Sequence, residues 1–292
     1  MKYITMIDSF YPSLSKTEKT VADYVKKEKD QIIYQTLQEI SKNINVGEAT
    51  ILRFCYKIGF DGFQDLKLNI AKEEPNPDQS VEGDYIEQVT ANITRSITET
   101  KAVLDMENLE AAVDLMVKGK RIVIYGIGAS GNAAQELESR LLRSGKITHA
   151  VIDNHFQLMT SSILSEEDVI IAFSLSGSTL ELVDSLNMAK KNNVNIIAVT
   201  NHILSPVASL ADVVLLTAGK ESPMNGGSLT GKISQLYIID LLITGYSLRD
   251  PQLTAEMRER TALSILDKTV EHNKRKNQRR RKTNGTTSAK ED

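Results

Sequence analysis

The sequence predicts an all-α domain followed by an α/β domain built on a five-stranded parallel sheet flanked by helices. Three observations carry this reading. Through residue 73, apolar residues recur at helical spacing; beyond residue 120, continuous apolar runs alternate with helical patterns, as expected of strands buried on both faces of a parallel sheet. Between them lies EEPNPDQS, residues 73–80, with two prolines and little apolar content, which reads as a linker. At 292 residues the chain is long enough for two cores.

Four helical patterns fill the first part, at 17–27, 36–43, 49–58 and 63–71. From Asp84, Ile86, Val89, Ile93 and Ile97 recur at three- and four-residue spacing, giving an amphipathic helix to about Met106. A further helix spans 109–118 and is stopped by Gly119. RIVIYG, ITHAVI, DVIIAFS, VNIIAVT and DVVLLT are the expected strands, and 132–143, 179–191 and 228–246 the expected helices. The organisation expected is therefore 1–74, 75–108 as linker and connecting helix, 109–250, and 251–292 as a helical extension with a basic disordered tail.

Hydrophobic residues make up 41% and charged residues 25% of the chain, the balance of a soluble globular protein. No run approaches the ~20 apolar residues of a membrane helix, and MKYITMIDSF, interrupted by Asp8 and Ser9, is no signal peptide. A cytoplasmic protein without membrane contact is expected. One cysteine, Cys55, excludes an internal disulfide and reads as a buried structural thiol. His149, His155, His202 and His272 form no metal-ligand spacing; no metal and no cofactor is expected, and His155 and His202 read as solvent-facing loop residues. The net charge of −3 divides into 0 for 1–74, −8 for 75–250 and +5 for 251–292. The acidic middle is a poor nucleic-acid surface, so that role falls to the ends.

VIYGIGASGNAAQEL opens with Gly126, Gly128 and Gly131 in G-x-G-x-x-G spacing after an apolar run, and Asp153 follows at a distance suited to a ribose-binding acid. That stretch alone admits a dinucleotide enzyme. The third strand, however, ends in Ser174-Leu175-Ser176-Gly177-Ser178-Thr179 directly before a helix. Four hydroxyls and a glycine there can wrap an anion with loop N–H groups, and no lysine follows in a P-loop arrangement. In a doubly wound sheet both loops open at the carboxyl ends of strands, where ligands bind. The glycines thus shape a shared anion pocket more readily than a pyrophosphate clamp.

VIYGIGASGNAAQEL, then AFSLSGSTLELV about 50 positions later, IIAVTN and SPVASLADVVLLT together resemble a sugar isomerase (SIS) domain over roughly 109–246. The resemblance implies a phosphosugar site formed by Ser130, Ser174, Ser176, Ser178 and Thr179, with Gly128 and Gly177 in the same loops. Glu221, in KESPMNGGS before the last helix, is the candidate further contact, with Lys232 behind it.

Upstream, LQEISKNINVGEATILRFCYKIGF breaks at Asn45-Val46-Gly47 between two helical patterns, the form of a helix-turn-helix. Ile40, Ile44 and Val46 can pack on Ile51, Leu52 and Cys55, leaving Ala49, Thr50, Arg53 and Lys57 on another face, where a recognition helix meets base edges and phosphates. VGEATILRFCYKIGFDGFQDLK resembles the N-terminal domain of RpiR-type bacterial transcription regulators, which is followed in that family by an SIS domain. Gly47 departs from the serine usual there; glycine can cap a helix but donates no side-chain bond to a phosphate.

An SIS isomerase requires a general base at its substrate. Glu136, Glu138 and Glu181 read as solvated helix residues, so no catalytic residue is assigned. The expected function is that of a non-enzymatic transcription regulator, a repressor of sugar or amino-sugar catabolism genes. Its partners are an operator in double-stranded DNA, a phosphosugar effector and a second copy of itself, as homodimer or homotetramer. The alternative is a phosphosugar isomerase or etherase with a helical assembly domain. The tail with Lys274, Arg275, Lys276, Arg279, Arg280, Arg281 and Lys282 reads as a solvated basic segment.

Overall fold

A computed structural model of the chain describes residues 2–29, 31–73, 84–219 and 229–266. The first unit comprises helices α1 (Lys2–Phe10), α2 (Lys16–Lys27), α3 (Leu37–Ile44), α4 (Glu48–Lys57) and α5 (Phe63–Glu73). Its core gathers Tyr3, Ile7, Val21, Val25, Ile32, Ile40, Ile51, Phe54, Cys55, Leu66 and Ile70. Helix α1 is the element the sequence pattern did not announce. Asp8 and Ser9 interrupt its apolar run, yet Tyr3 and Ile7, one turn apart, are both sealed in the core. Cys55 is fully buried, and burial pushes its thiol up to about 12.

Local chemistry sets the helix ends. Ser15 accepts a hydrogen bond from the Glu18 N–H while Glu18 accepts from the Ser15 N–H, and Thr36 and Glu39 repeat the same reciprocal cap on α3. Asn45 adopts the left-handed conformation at φ 51°, ending α3 and turning the chain into α4.

The second unit is a parallel sheet in the order β2-β1-β3-β4-β5, from β1 (Ile122–Gly126), β2 (His149–Val151), β3 (Val169–Phe173), β4 (Asn195–Thr200) and β5 (Val213–Leu216). Five parallel strands match the sequence reading. One face, with Ile124, Ile171, Phe173 and Val199, packs on α7 (Met106–Lys118), α8 (Ala129–Arg143) and α12 (Leu229–Arg249). The other, with Tyr125, Ile170, Ala172 and Ala198, is covered by α10 (Leu180–Lys191) and α11 (Pro206–Leu210). Helix α9 (Asn154–Ile163), also absent from the sequence reading, joins β2 to β3; Asp153 caps it by accepting from the Phe156 N–H at 3.1 Å. That role leaves Asp153 with a local structural explanation in place of a ribose contact.

Helix α6 (Tyr85–Val103) starts at its Asp84 cap and ends three residues short of Met106. It lies on the second unit through Ser96, whose hydroxyl donates to the Thr230 carbonyl, and Thr100, which accepts from the Ala218 N–H. Helix α13 (Pro251–Leu266) follows α12; the basic run from Lys274 lies outside the described residues. Among the described residues no helix is long and apolar enough to cross a membrane.

Candidate functional site

The chain leaves β1 on one side to form β2 and returns to the other side to form β3. The loops after β1 and β3 therefore part around a crevice at the switch point of the sheet. Gly126 pairs with Phe173 across these neighbouring strands, so the loop carrying Gly128 and Ser130 runs beside the one carrying Ser174 to Thr179.

Gly128 is the N-cap of α8 at φ 59° and ψ −125°, a conformation open to glycine. It exposes the start of that helix, and with it an N-terminal cluster of backbone N–H groups. Ser130, one residue into the helix, is buried, and its hydroxyl accepts a hydrogen bond from Gln235 Nε2 at 3.0 Å. Gln235 sits on the apolar helix α12, where the sequence pattern gives no sign of this contact; among the described residues its buried Oε1 has no hydrogen-bond partner.

The second loop is held more firmly. Ser174 is buried, its Oγ accepts from the Gly177 N–H at 3.1 Å and lies 3.5 Å from Thr179 Oγ1. Gly177 stands at φ 60°, where a Cβ would come within 2.1 Å of Ser205 Oγ. Ser176 and Ser178 are exposed and bonded to each other, the Ser178 N–H and hydroxyl donating to Ser176 Oγ and O. The loop is stitched to the end of β4, where Asn201 N–H and Thr200 Oγ1 donate to the Leu175 carbonyl. Glu221 lies outside the described residues, and Lys232 is exposed on α12.

In the first unit Gly47 caps α4 without a side-chain bond. Ala49 and Arg53 are exposed and Thr50 half-buried along one face of that helix. Arg53 donates from Nε to the Ala49 carbonyl and from Nη2 to Thr50 Oγ1 at 3.0 Å, which aligns its guanidinium along the helix start. Lys57 differs: its Nζ donates to the Ser13 carbonyl at 2.8 Å and to Glu18 at 2.9 Å. It ties α4 to α2, so the ammonium that the sequence assigns to a DNA-facing surface is already paired with Glu18. Glu18 is held below the usual carboxylate range, first by the Ser15 N–H and then by Lys57.

The two units meet at a residue the sequence reading left in solvent. His202, after β4, places Nδ1 3.0 Å from both carboxylate oxygens of Glu39 on α3. Its side chain is 17% exposed. The separation of 163 residues kept the pair invisible to spacing. Glu136 faces Arg140, and Glu138 accepts from the Ala150 N–H, so both carboxylates have structural partners.

Residues 1–77 match the model of the rpiR-family helix-turn-helix domain and residues 115–245 that of the SIS domain. An HTH-type transcriptional regulator of Haemophilus influenzae is 32% identical over 91% of this chain and 97% of its own length. One from Clostridium perfringens is 36% identical over 87% of this chain and 95% of its own. Among solved structures, Vibrio vulnificus NanR in complex with ManNAc-6P superposes with a TM-score of 0.85 at 27% identity, covering 92% of this chain and 99% of that one. The chain belongs to the rpiR family of helix-turn-helix transcription regulators, with an SIS domain as its second unit.

Proposed function

We propose that the protein is a cytoplasmic, non-enzymatic repressor of sugar or amino-sugar catabolism genes whose SIS domain binds a phosphosugar effector. The observation that supports this most is the pairing of two hydroxyl-bearing loops at the switch point of the sheet with a helix-turn-helix on the same chain. The phosphate is assigned to Ser174, Ser176, Ser178 and Thr179 with the N–H groups around Gly177, and the sugar to the side of Gly128 and Ser130. Gln235 Oε1 there offers an acceptor to a sugar hydroxyl. The Vibrio relative, complexed with ManNAc-6P, favours a phosphorylated amino sugar, and Glu221 is retained as a candidate contact.

The DNA side is assigned to α4, with Ala49, Thr50 and Arg53 entering the major groove, Gly47 closest to the backbone and Lys57 at the far end. A homodimer or a homotetramer suits this role, since two recognition helices about 34 Å apart match successive half-sites. Helix α9 supports self-association: Phe156, Met159 and Ile163 stand exposed on it at 62, 62 and 70%, an apolar face of the kind buried in symmetric oligomers.

The test is anisotropy of a labelled fragment from the protein's own upstream region, at fixed salt, titrated with and without N-acetylmannosamine 6-phosphate, glucosamine 6-phosphate and pentose phosphates. A specific complex whose affinity changes with one of them is the expected result. No specific complex, together with turnover of a phosphosugar, would replace the repressor by an isomerase.

A further inference from the structure

Between the two units lies a cleft of about 480 Å³, within the range of small-molecule sites. Its first wall carries Thr36, Gln64 and Lys67, and its second Ser176, Ser178 and His202. Lys67 is the unusual member. The residue is 9% exposed, and its Nζ donates to the Gln35 carbonyl at 3.0 Å and sits 5.2 Å from the centre of the Phe63 ring. The carboxylate it feels, Glu39, is spent on His202 and the Thr36 N–H.

An ammonium withdrawn from water to this extent is stable when charge and hydrogen bonds replace the water. One carbonyl and one ring face leave part of its three-donor capacity open. Across the cleft stand the exposed hydroxyls of the loop already assigned to the effector. Burial lowers the Lys67 pKa to about 8, against the field of Glu39, so the side chain is still largely cationic at pH 7.

We propose that this cleft binds the anionic group of a small phosphorylated metabolite, seated between the Lys67 ammonium and the Ser176–Ser178 segment, so that the helix-turn-helix unit forms one wall of the effector site. The inference rests on reading the Ser174–Thr179 loop as the effector loop. Its consequence is direct coupling. A ligand held by both walls fixes α5 and, through Gln35, the residue before the Thr36 cap, the start of α3. Such a ligand binds one arrangement of the two units better than any other, which is what a shift of the DNA-binding equilibrium requires.

The experiment treats the full-length protein with pyridoxal 5′-phosphate, whose aldehyde forms an imine with a lysine amine beside a phosphate site, followed by borohydride reduction and peptide mapping. A pKa near 8 gives Lys67 roughly a hundredfold more free amine than a solvent lysine. Lys67 is expected to be labelled ahead of exposed Lys101 and Lys191, and millimolar inorganic phosphate to protect it. Label on surface lysines with Lys67 unmodified, or on Lys67 without protection, overturns the proposal. Calorimetry with N-acetylmannosamine 6-phosphate and glucosamine 6-phosphate separates it from the effector reading. Lys67→Gln and Ser178→Ala are each expected to weaken binding at least tenfold, with Lys67→Arg recovering part. If Ser174→Ala abolishes binding while Lys67→Gln and Ser178→Ala leave it unchanged, the effector loop stands and the cleft is wrong. If the wild type binds neither phosphosugar but Lys67 is still selectively labelled and phosphate-protected, the anion site stands and the effector reading falls.

Discussion

Glu39 and His202 join the helix-turn-helix to the SIS domain, with Nδ1 of the histidine 3.0 Å from each oxygen of the carboxylate. Glu39 is half of the cap on α3, and His202 adjoins Asn201, whose N–H donates to the Leu175 carbonyl in the Ser174–Thr179 loop. A displacement of that loop therefore reaches the first helix of the DNA-binding motif through a short run of hydrogen bonds. Burial raises the Glu39 pKa, but the bonds from His202 and the Thr36 N–H more than offset it, leaving the carboxyl below its usual value. A depressed folded-state value contributes stability above the unfolded pKa that is lost as pH falls through the folded one. A double-mutant cycle of Glu39→Ala and His202→Ala, read by thermal unfolding at pH 7, is expected to give a coupling of about 0.5–2 kcal/mol. Additive effects would show that the contact contributes nothing.

Arg53→Ala separates DNA contact from stability. The side chain is exposed and, among the described residues, bonds within its own helix start, so the melting temperature should stay constant. Specific DNA affinity is expected to fall by about 1–3 kcal/mol. Lys57→Ala should behave differently, lowering the melting temperature because it releases the α2–α4 tie to Ser13 and Glu18. Equal melting losses in the two variants would contradict this division.

Gly47→Ser is expected to stabilise. A Cβ at Gly47 meets nothing within 4 Å, and φ −58°, ψ 142° suits an N-cap serine. The added hydroxyl can accept from the Thr50 N–H, a gain of a few tenths of a kcal/mol, seen as a small rise in urea midpoint. A fall would mean that the α4 entry differs from the one described.

The two loop glycines should not be equivalent. Gly177→Ala combines a left-handed φ with Cβ contacts of 2.1 Å to Ser205 Oγ and 2.8 Å to Thr200 Oγ1, and is expected to destabilise by about 2–4 kcal/mol. Gly128→Ala, at a similar φ but with open space around the Cβ, should cost only backbone strain, about 1–3 kcal/mol. Urea unfolding of both variants checks the order, and a larger loss at Gly128 would reverse the account of the loops.

Asp168 is expected to contribute to the acid limb of SIS-domain stability. Arg121 donates to it from Nε at 2.8 Å and Nη2 at 2.5 Å, and this, against burial and with the Ser165 N–H and hydroxyl, holds its carboxyl at about 2. Its contribution is complete above the unfolded value of about 3.9 and disappears as pH falls from there through about 2. Asp168→Asn should lower stability at pH 7 by about 2–3 kcal/mol and flatten the acid limb of the urea midpoint. An unchanged acid limb would assign that limb to other carboxylates.

Much of this was legible in the sequence because it is local. The strand runs, the break at Asn45-Val46-Gly47 and the Ser174–Thr179 loop are patterns within a dozen residues, and the structure has strands, turn and loop there. Helices α1 and α9 escaped because a few long-range contacts bury them, not an extended apolar stripe. Gln235 beside Ser130, Glu39 beside His202 and Lys67 in the inter-domain cleft escaped for a different reason. Each is brought to its partner by topology across scores of residues, where spacing carries no signal. The polar Gln235 within apolar α12 was the one such residue with a readable clue.

A regulator of the kind proposed links effector and operator through one equilibrium, and linkage is reciprocal. The most direct measurement is the Kd of N-acetylmannosamine 6-phosphate, by calorimetry, for the free protein and for its complex with upstream DNA at the same salt. The affinity for the complex is expected to differ from that for the free protein by the same factor, in the same direction, as the ligand changes DNA binding, and both effects are expected to be lost in Ser174→Ala. Equal affinity for free and DNA-bound protein would contradict this linkage.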